Sequence, residues 1–193
     1  MNVALRKSWT QEAFISWAQT QSERYEFDGS QPVAMTGGNA AHAMIGRNVN
    51  FALRSRLRGG VCSSMGPDAG LETVGGAVRY PDALVTCAKV SPSDLTIAGV
   101  IVVFEVVSAG STRTDRIDKV VEYAAVPSIR RYVIVESSSV GVTVLERSGA
   151  GEPWTTNILA DETAVLRMPE LGIEIPVAAF YEDIVFAADE GRS

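Results

Sequence analysis

The run Val100-Ile-Val-Val-Phe-Glu-Val-Val107 constrains this chain more than any other segment. So long a stretch of β-branched and aromatic residues reads as a core strand. Within it Glu105 is out of place, and on a second apolar strand Asp82 follows Pro81. An ionised carboxylate among valines is costly unless something pairs with it, and a divalent cation is one such partner. Arginines, or solvent at the strand ends, are the others, and spacing alone leaves these readings open. Side chains alternate along a strand, so Val103, Glu105 and Val107 share one face and Val102, Phe104 and Val106 the other.

Around this strand the chain reads as a single α+β (α/β) domain with a central mixed sheet and few helices. Thr10 caps a first helix whose stripe is Ala13, Phe14, Trp17 and Ala18. Glu23 to Gly29 and Val33 to Thr36 read as paired short strands, and Asn39 leads into a long helix over 40–57 closed by Gly59-Gly60. Strands are expected at 61–64, 71–74, 78–86, 100–108, 131–136, 140–147, 154–159 and 164–167. Helices are expected at 114–125, where Ile117, Val120, Val121 and Ala124 form the core stripe, and at 176–186.

With 193 residues, the chain is long enough to bury a core without staples. Its net charge of −6 argues against broad nucleic-acid binding driven by bulk charge, though not against a local basic groove. The two cysteines, Cys62 and Cys87, fit no metal spacing and read as buried or inert thiols in a reducing cytosol. No leader-like run opens the sequence and no stretch approaches about 20 apolar residues, so a cytoplasmic protein without a membrane span is expected.

Other candidate groups stand beside the two acids. Many nucleases carry a lysine two residues after the strand acid, so that both act on one water; here that position is Val107. The nearest replacement is Lys119, which lies well round from the expected stripe of its helix. Asp115 and Lys119 at i, i+4 fit a surface pair contributing about 0.3–0.5 kcal/mol, while Tyr123, continuing that row, hints at a second contact surface. Arg47, Arg54 and Arg58 fall within about 40° of one another on the long helix, as a phosphate-binding stripe or a solvated face. His42, the only histidine, fits a phosphate contact or a hydrogen-bonded structural role.

Taken in order, these segments resemble the Uma-type putative restriction endonuclease family of the PD-(D/E)xK nuclease superfamily. The likeness runs through Glu23-Arg-Tyr-Glu26, Val33-Ala-Met-Thr-Gly-Gly38 with His42, Tyr80-Pro-Asp-Ala-Leu-Val85, Val103-Phe-Glu-Val-Val-Ser108, Asp115-Arg-Ile-Asp-Lys119 with Tyr123, and Pro127-Ser-Ile-Arg-Arg-Tyr-Val-Ile-Val135. It covers residues 9–186. Two segments depart from the pattern: Ser108-Ala-Gly-Ser-Thr112 replaces a usual Ser-Pro-Ser-Thr, and Asp28-Gly-Ser-Gln-Pro32 lacks the acid that often follows the glycine.

The resemblance implies a restriction-endonuclease-like core, a mixed sheet flanked by helices, and hydrolysis of phosphodiesters in nucleic acid, with DNA the expected form. It makes Asp82 and Glu105 the ligands of Mg2+ or Mn2+, joined by a backbone carbonyl such as that of Val106. Lys119 becomes the displaced motif lysine and Glu26 an auxiliary acid. Arg47 and Arg54, from the stripe on the long helix, and His42, from its place at the start of that helix, are the candidate nucleic-acid contacts. Rival readings are a non-catalytic nucleic-acid or protein-binding module on the same fold, and a structural homodimer supported by the apolar segments 140–145 and 164–166.

Overall fold

The computed structural model describes residues 9–108 and 113–186, and for 113–116 the backbone alone. The loop after Ser108 and the side chain of Asp115 lie outside the described residues.

In chain order the elements are α1 (Gln11–Ala18), β1 (Tyr25–Phe27), β2 (Pro32–Ala34), α2 (Ala40–Leu57), β3 (Ser63–Met65), β4 (Leu71–Glu72), β5 (Val78–Arg79), β6 (Ala83–Thr86), β7 (Val100–Val107), α3 (Arg113–Ala125), β8 (Arg131–Glu136), β9 (Val142–Glu146), β10 (Thr155–Leu159), β11 (Val165–Met168) and β12 (Ile173–Pro176). The central sheet has the order β10-β9-β8-β7-β6-β3. It is mixed because β7 and β8 run parallel, joined by the crossover helix α3, while the other neighbours are antiparallel. A smaller sheet, β2-β1-β5-β4, stands beside it, and β11-β12 form a separate hairpin.

The alternation read along β7 divides the core as expected. Val102, Phe104 and Val106 pack with Ile45, Val49 and Leu53 of α2, while Val103 and Val107 pack with Tyr123 of α3 and with Val126 and Ile129 after it. Each such fully buried side chain contributes roughly 1.5–3 kcal/mol, so the sheet centre is the most firmly held part of the molecule. Glu105 shares the α3-facing surface and is itself buried.

Several expectations are corrected. The segment 78–86 is two strands, not one: β5 belongs to the small sheet and β6 to the central sheet. Pro81 sits in the break, where it has no N–H to give to a ladder, and the chain changes sheets there. The stripe expected on α3 is only half right: Val120 packs against the core and Ala124 is half-buried. Ile117 and Val121 are exposed, whereas Tyr123 is fully buried and the side chain of Lys119 is only 12% exposed. The closing helix at 176–186 shortens to a 3-10 turn, Val177–Phe180. The Asn48 side chain takes the carbonyls of Phe180 and Glu182, and Asp183 turns to φ 64°, which a continuing helix does not allow.

The two cysteines form a disulfide, Cys62–Cys87, instead of remaining free thiols. The β3–β6 register pairs Ser63 with Thr86, which puts Cys62 opposite Cys87. The apolar segments expected to support a dimer are used internally, since Val142, Val144 and Leu166 are buried in the α2-side core. Among the described residues no helix is long and apolar enough to cross a membrane.

Candidate active site

The break at Pro81 is what sets an acid against β7. Asp82 stands just before Ala83, which pairs with Phe104 of β7. Its Oδ2 accepts the N–H of Val106 at 2.7 Å, so the carboxylate is pinned against the strand that carries Glu105. Asn50, from α2, donates to the Asp82 carbonyl at 3.0 Å and fixes the backbone there. His42 approaches from the first turn of α2, its Nε2 3.6 Å from Asp82 Oδ2. The cap of that helix is Asn39, whose side chain accepts from the His42 N–H. Glycine is required at position 38, because a Cβ there would come within 2.5 Å of the His42 ring.

Glu105 meets α3 from the inside of the sheet. Its Oε1 accepts from Lys119 Nζ at 2.9 Å and from the Tyr123 hydroxyl at 2.8 Å. Lys119 and Tyr123 are four apart on α3 and therefore present one face of the helix. Lys119 Nζ also lies 3.4 Å from Glu26 Oε1, so β1 contributes the third acid. Glu26 in turn accepts from Arg79 at 3.0 Å and from the Tyr80 N–H at 3.2 Å. Arg79 holds Glu122 with two bonds of 2.7 Å, closing a continuous chain from α3 through β5 and β1 back to α3.

Thus Glu26, Asp82, Glu105 and Lys119, named from the sequence, are brought together, with His42 at the edge of the group. Arg47 and Arg54 are not among them. Both are exposed, more than a quarter turn round α2 from His42, and Arg47 bonds Asn48 and faces Asp183 at 3.8 Å. The amide of Val106 is engaged by Asp82. Sequence reasoning missed Arg79 and Glu122 altogether. Arg79 did carry a signal, being a charge on an apolar strand just before the Pro81 break. Glu122 carried none, because its meaning lies in a partner 43 residues away.

Burial sets the electrostatics. It pushes the Glu105 carboxyl up to about 7, with Lys119 opposing and the Asp82 and Glu26 charges adding to the rise. Asp82 is also raised, by burial first, against the pull of the Val106 amide, His42 and Lys119. Burial disfavours the Lys119 ammonium, but Glu105 and Glu26 outweigh it and hold the group protonated, well above the usual lysine value. Lys119 is therefore a cation and a proton donor in hydrogen bonds, not a base.

Among the described residues four carboxylates (Glu26, Asp82, Glu105 and Glu122) gather near two fixed cations, Arg79 and Lys119. Where Glu105 is ionised, acid charge is in excess there, which suits a divalent cation. The donor chemistry agrees. Asp82 Oδ1 and Glu105 Oε2 have no hydrogen-bond partner among the described residues, and two carboxylate oxygens plus water suit Mg2+ or Mn2+. Among the described residues no three His, Cys, Asp or Glu side chains form a ready-made ligand set, so water or substrate would have to complete the shell.

A raised carboxyl makes a prediction about stability. Folded Glu105 binds its proton more tightly than the unfolded chain does. Stability is therefore highest below the ordinary value of 4.5 and falls as pH rises through about 7. The full loss is on the order of 3 kcal/mol. Urea unfolding without divalent metal should show Glu105→Gln gaining on wild type by that order between pH 5 and pH 8. Parallel curves for the two proteins would remove the assigned burial effect.

A mixed central sheet flanked by helices, with one acid on β7, another just ahead of β6 and a crossover helix behind them, is the restriction-endonuclease-like nuclease fold. The same fold is seen in a crystal structure from Anabaena variabilis ATCC 29413, described as "a putative nuclease belonging to DUF820". That chain matches with a TM-score of 0.72 at 10% identity, over 89% of this chain and 97% of the other, a likeness of fold. Over residues 11–178 the sequence matches the Uma2 family, described as "Putative restriction endonuclease", and the chain belongs to that family. A relative from Synechocystis sp. (strain ATCC 27184 / PCC 6803 / Kazusa), "Uncharacterized protein slr1290", is 28% identical over 178 residues, 91% of this chain and 92% of its own.

Proposed function

We propose that this protein is a Mg2+- or Mn2+-dependent endonuclease that hydrolyses phosphodiesters in nucleic acid, DNA in the first instance. One observation carries the reading most. Lys119, fourteen residues beyond Glu105, returns to it at 2.9 Å beside an Asp82 anchored on the next amide of the same strand. An acid pair with a lysine at its side is what phosphodiester hydrolysis needs, and a merely structural ion pair does not require the second acid.

In this reading Asp82 and Glu105 would hold the ion, joined by the Val106 carbonyl. When bound, such an ion neutralises phosphate charge and lowers the pKa of water. Lys119 orients the attacking water or stabilises charge in the transition state. Glu26 and Tyr123 position Lys119 and Glu105, and His42 contacts a phosphate at the mouth of the site. Arg47 and Arg54, on another face of α2, contact nucleic acid only away from the scissile bond. Every group comes from one chain, so the site itself requires no homodimer.

The test is calorimetric titration of manganese into wild type and Asp82→Ala at pH 8, where Glu105 is ionised. Binding in wild type that weakens at least tenfold in the variant is expected. Equal binding in both, or none in either at millimolar metal, overturns the reading.

A further inference from the structure

On the α1 side of the small sheet, the face opposite Glu26, lies an open cavity of about 280 Å³ that the proposed hydrolysis does not use. Its walls come from the end of α1 and the segment after it, from β1, and from the stretch leading to Asp82. Tyr25 precedes Glu26 on β1, and Tyr80 stands two residues before Asp82. Arg24 completes this wall, its guanidinium carbon 5.9 Å from the centroid of the Tyr80 ring. Glu23 and Asp94 also line the cavity.

We propose that this cavity receives one nucleobase adjoining the scissile phosphodiester, stacked between the Tyr80 ring and the Arg24 guanidinium. The inference rests on the nuclease reading above and gives that site a means of gripping its substrate.

Size argues for a single ring system. The volume is just under the range of about 300–1,000 Å³ that holds drug-sized ligands, which suits one base with its sugar left at the open side. A ring between two planes needs about 3.5 Å on each side, or about 7 Å in all, and the Arg24 guanidinium carbon now lies 5.9 Å from the Tyr80 ring centroid, so Arg24 must move aside to admit a base. Arg24 can give the difference. Its side chain is 46% exposed, and it is held by the Pro67 carbonyl and by Asp68 at 3.6 Å, an aspartate that is itself almost wholly exposed. Exposed pairs of that kind contribute little.

Charge argues for a base and against a phosphate. Carboxylates repel phosphate but accept N–H groups, so the second oxygens of Glu23 and Asp94, whose first accept from the Tyr25 hydroxyl and the Ser91 N–H, suit the exocyclic amino group of cytosine or guanine. Arg24 is also among the cations that oppose the effect of burial on Asp82, so the cavity lies within electrostatic reach of the acid site. Stacking on aromatic rings and on arginine planes is a common way of holding unstacked bases.

Saturation-transfer NMR on the full chain without metal tests the proposal, with deoxycytidine, deoxyguanosine and, as a base-free control, ribose 5-phosphate. Both nucleosides should receive saturation through their base protons at millimolar concentration, and ribose 5-phosphate should not. Tyr80→Ala should weaken binding at least about fivefold, the low end for loss of one base–aromatic stack, while Tyr80→Phe keeps it. Three results would overturn the proposal: no nucleoside binding by wild type, ribose 5-phosphate binding as strongly as the nucleosides, or equal binding by Tyr80→Ala. The nucleosides contain no phosphodiester and no metal is added, so failure here leaves the manganese titration to judge the nuclease reading separately.

Discussion

Arg79→Met is expected to destabilise the protein by about 3–5 kcal/mol, the usual cost of removing one partner from a buried ion pair. The Arg79 side chain is 10% exposed and serves two acids: Glu122 through two bonds of 2.7 Å and Glu26 through one of 3.0 Å. Without it Glu122 loses both of these bonds in a half-buried setting, and Glu26 keeps only the Tyr80 amide and a more distant Lys119. A loss of that size is a large share of the roughly 5–15 kcal/mol that holds a domain together. Arg79→Lys should fall between wild type and Arg79→Met, since an ammonium cannot reproduce the forked contact with Glu122. The paired variant Arg79→Met/Glu122→Met should recover part of the loss, because Glu122 is no longer stranded while Glu26 still lacks its Arg79 contact. Urea unfolding of the four proteins decides the matter. A loss below about 1 kcal/mol for Arg79→Met would mean that the network is solvated and contributes little.

The same network explains what could and could not be read from the sequence. β7 was legible because alternation along a strand needs only the strand itself, and Glu105 advertised its importance by interrupting valines. Asp82 was legible for the same reason, yet the break at Pro81 was not. An apolar run on both sides reads as one strand, and only the pairing of β5 with β1 and of β6 with β7 separates them. On α3, apolar periodicity pointed partly to the wrong face. Ile117 and Val121 face solvent because the inward positions belong to Lys119, Glu122 and Tyr123, whose polar ends are satisfied by Glu105, Arg79 and Glu26. A helix whose buried face is polar defeats any rule that equates apolar with inside. The Cys62–Cys87 bond was hidden in a similar way, since it follows from the β3–β6 register and from no local spacing. The family resemblance restored Lys119 to the site where periodicity had moved it away.

Lys119→Met should separate metal binding from catalysis, and this makes it the most informative change in the site. Lys119 carries a full charge onto Glu105 Oε1 at 2.9 Å, beside the neutral Tyr123 hydroxyl at 2.8 Å. On a supercoiled DNA substrate with Mn2+, the variant should cleave about 10²–10³-fold more slowly, the usual cost of losing one donor to transition-state charge. Manganese should nevertheless bind at pH 8, because both ligands remain and a competing cation has gone from Glu105. The acid limb of that binding should also move to higher pH. Lys119 is what holds the Glu105 carboxyl down against burial, so without it the proton leaves later and the metal competes longer. Global stability should change less than in Arg79→Met, since Glu105 can accept a proton and keeps its bond from Tyr123. A merely structural lysine gives a different result: unfolding and weak metal binding together, with no shift of the pH profile. Unchanged cleavage in a folded variant would remove Lys119 from the chemistry and return the motif lysine to some other residue.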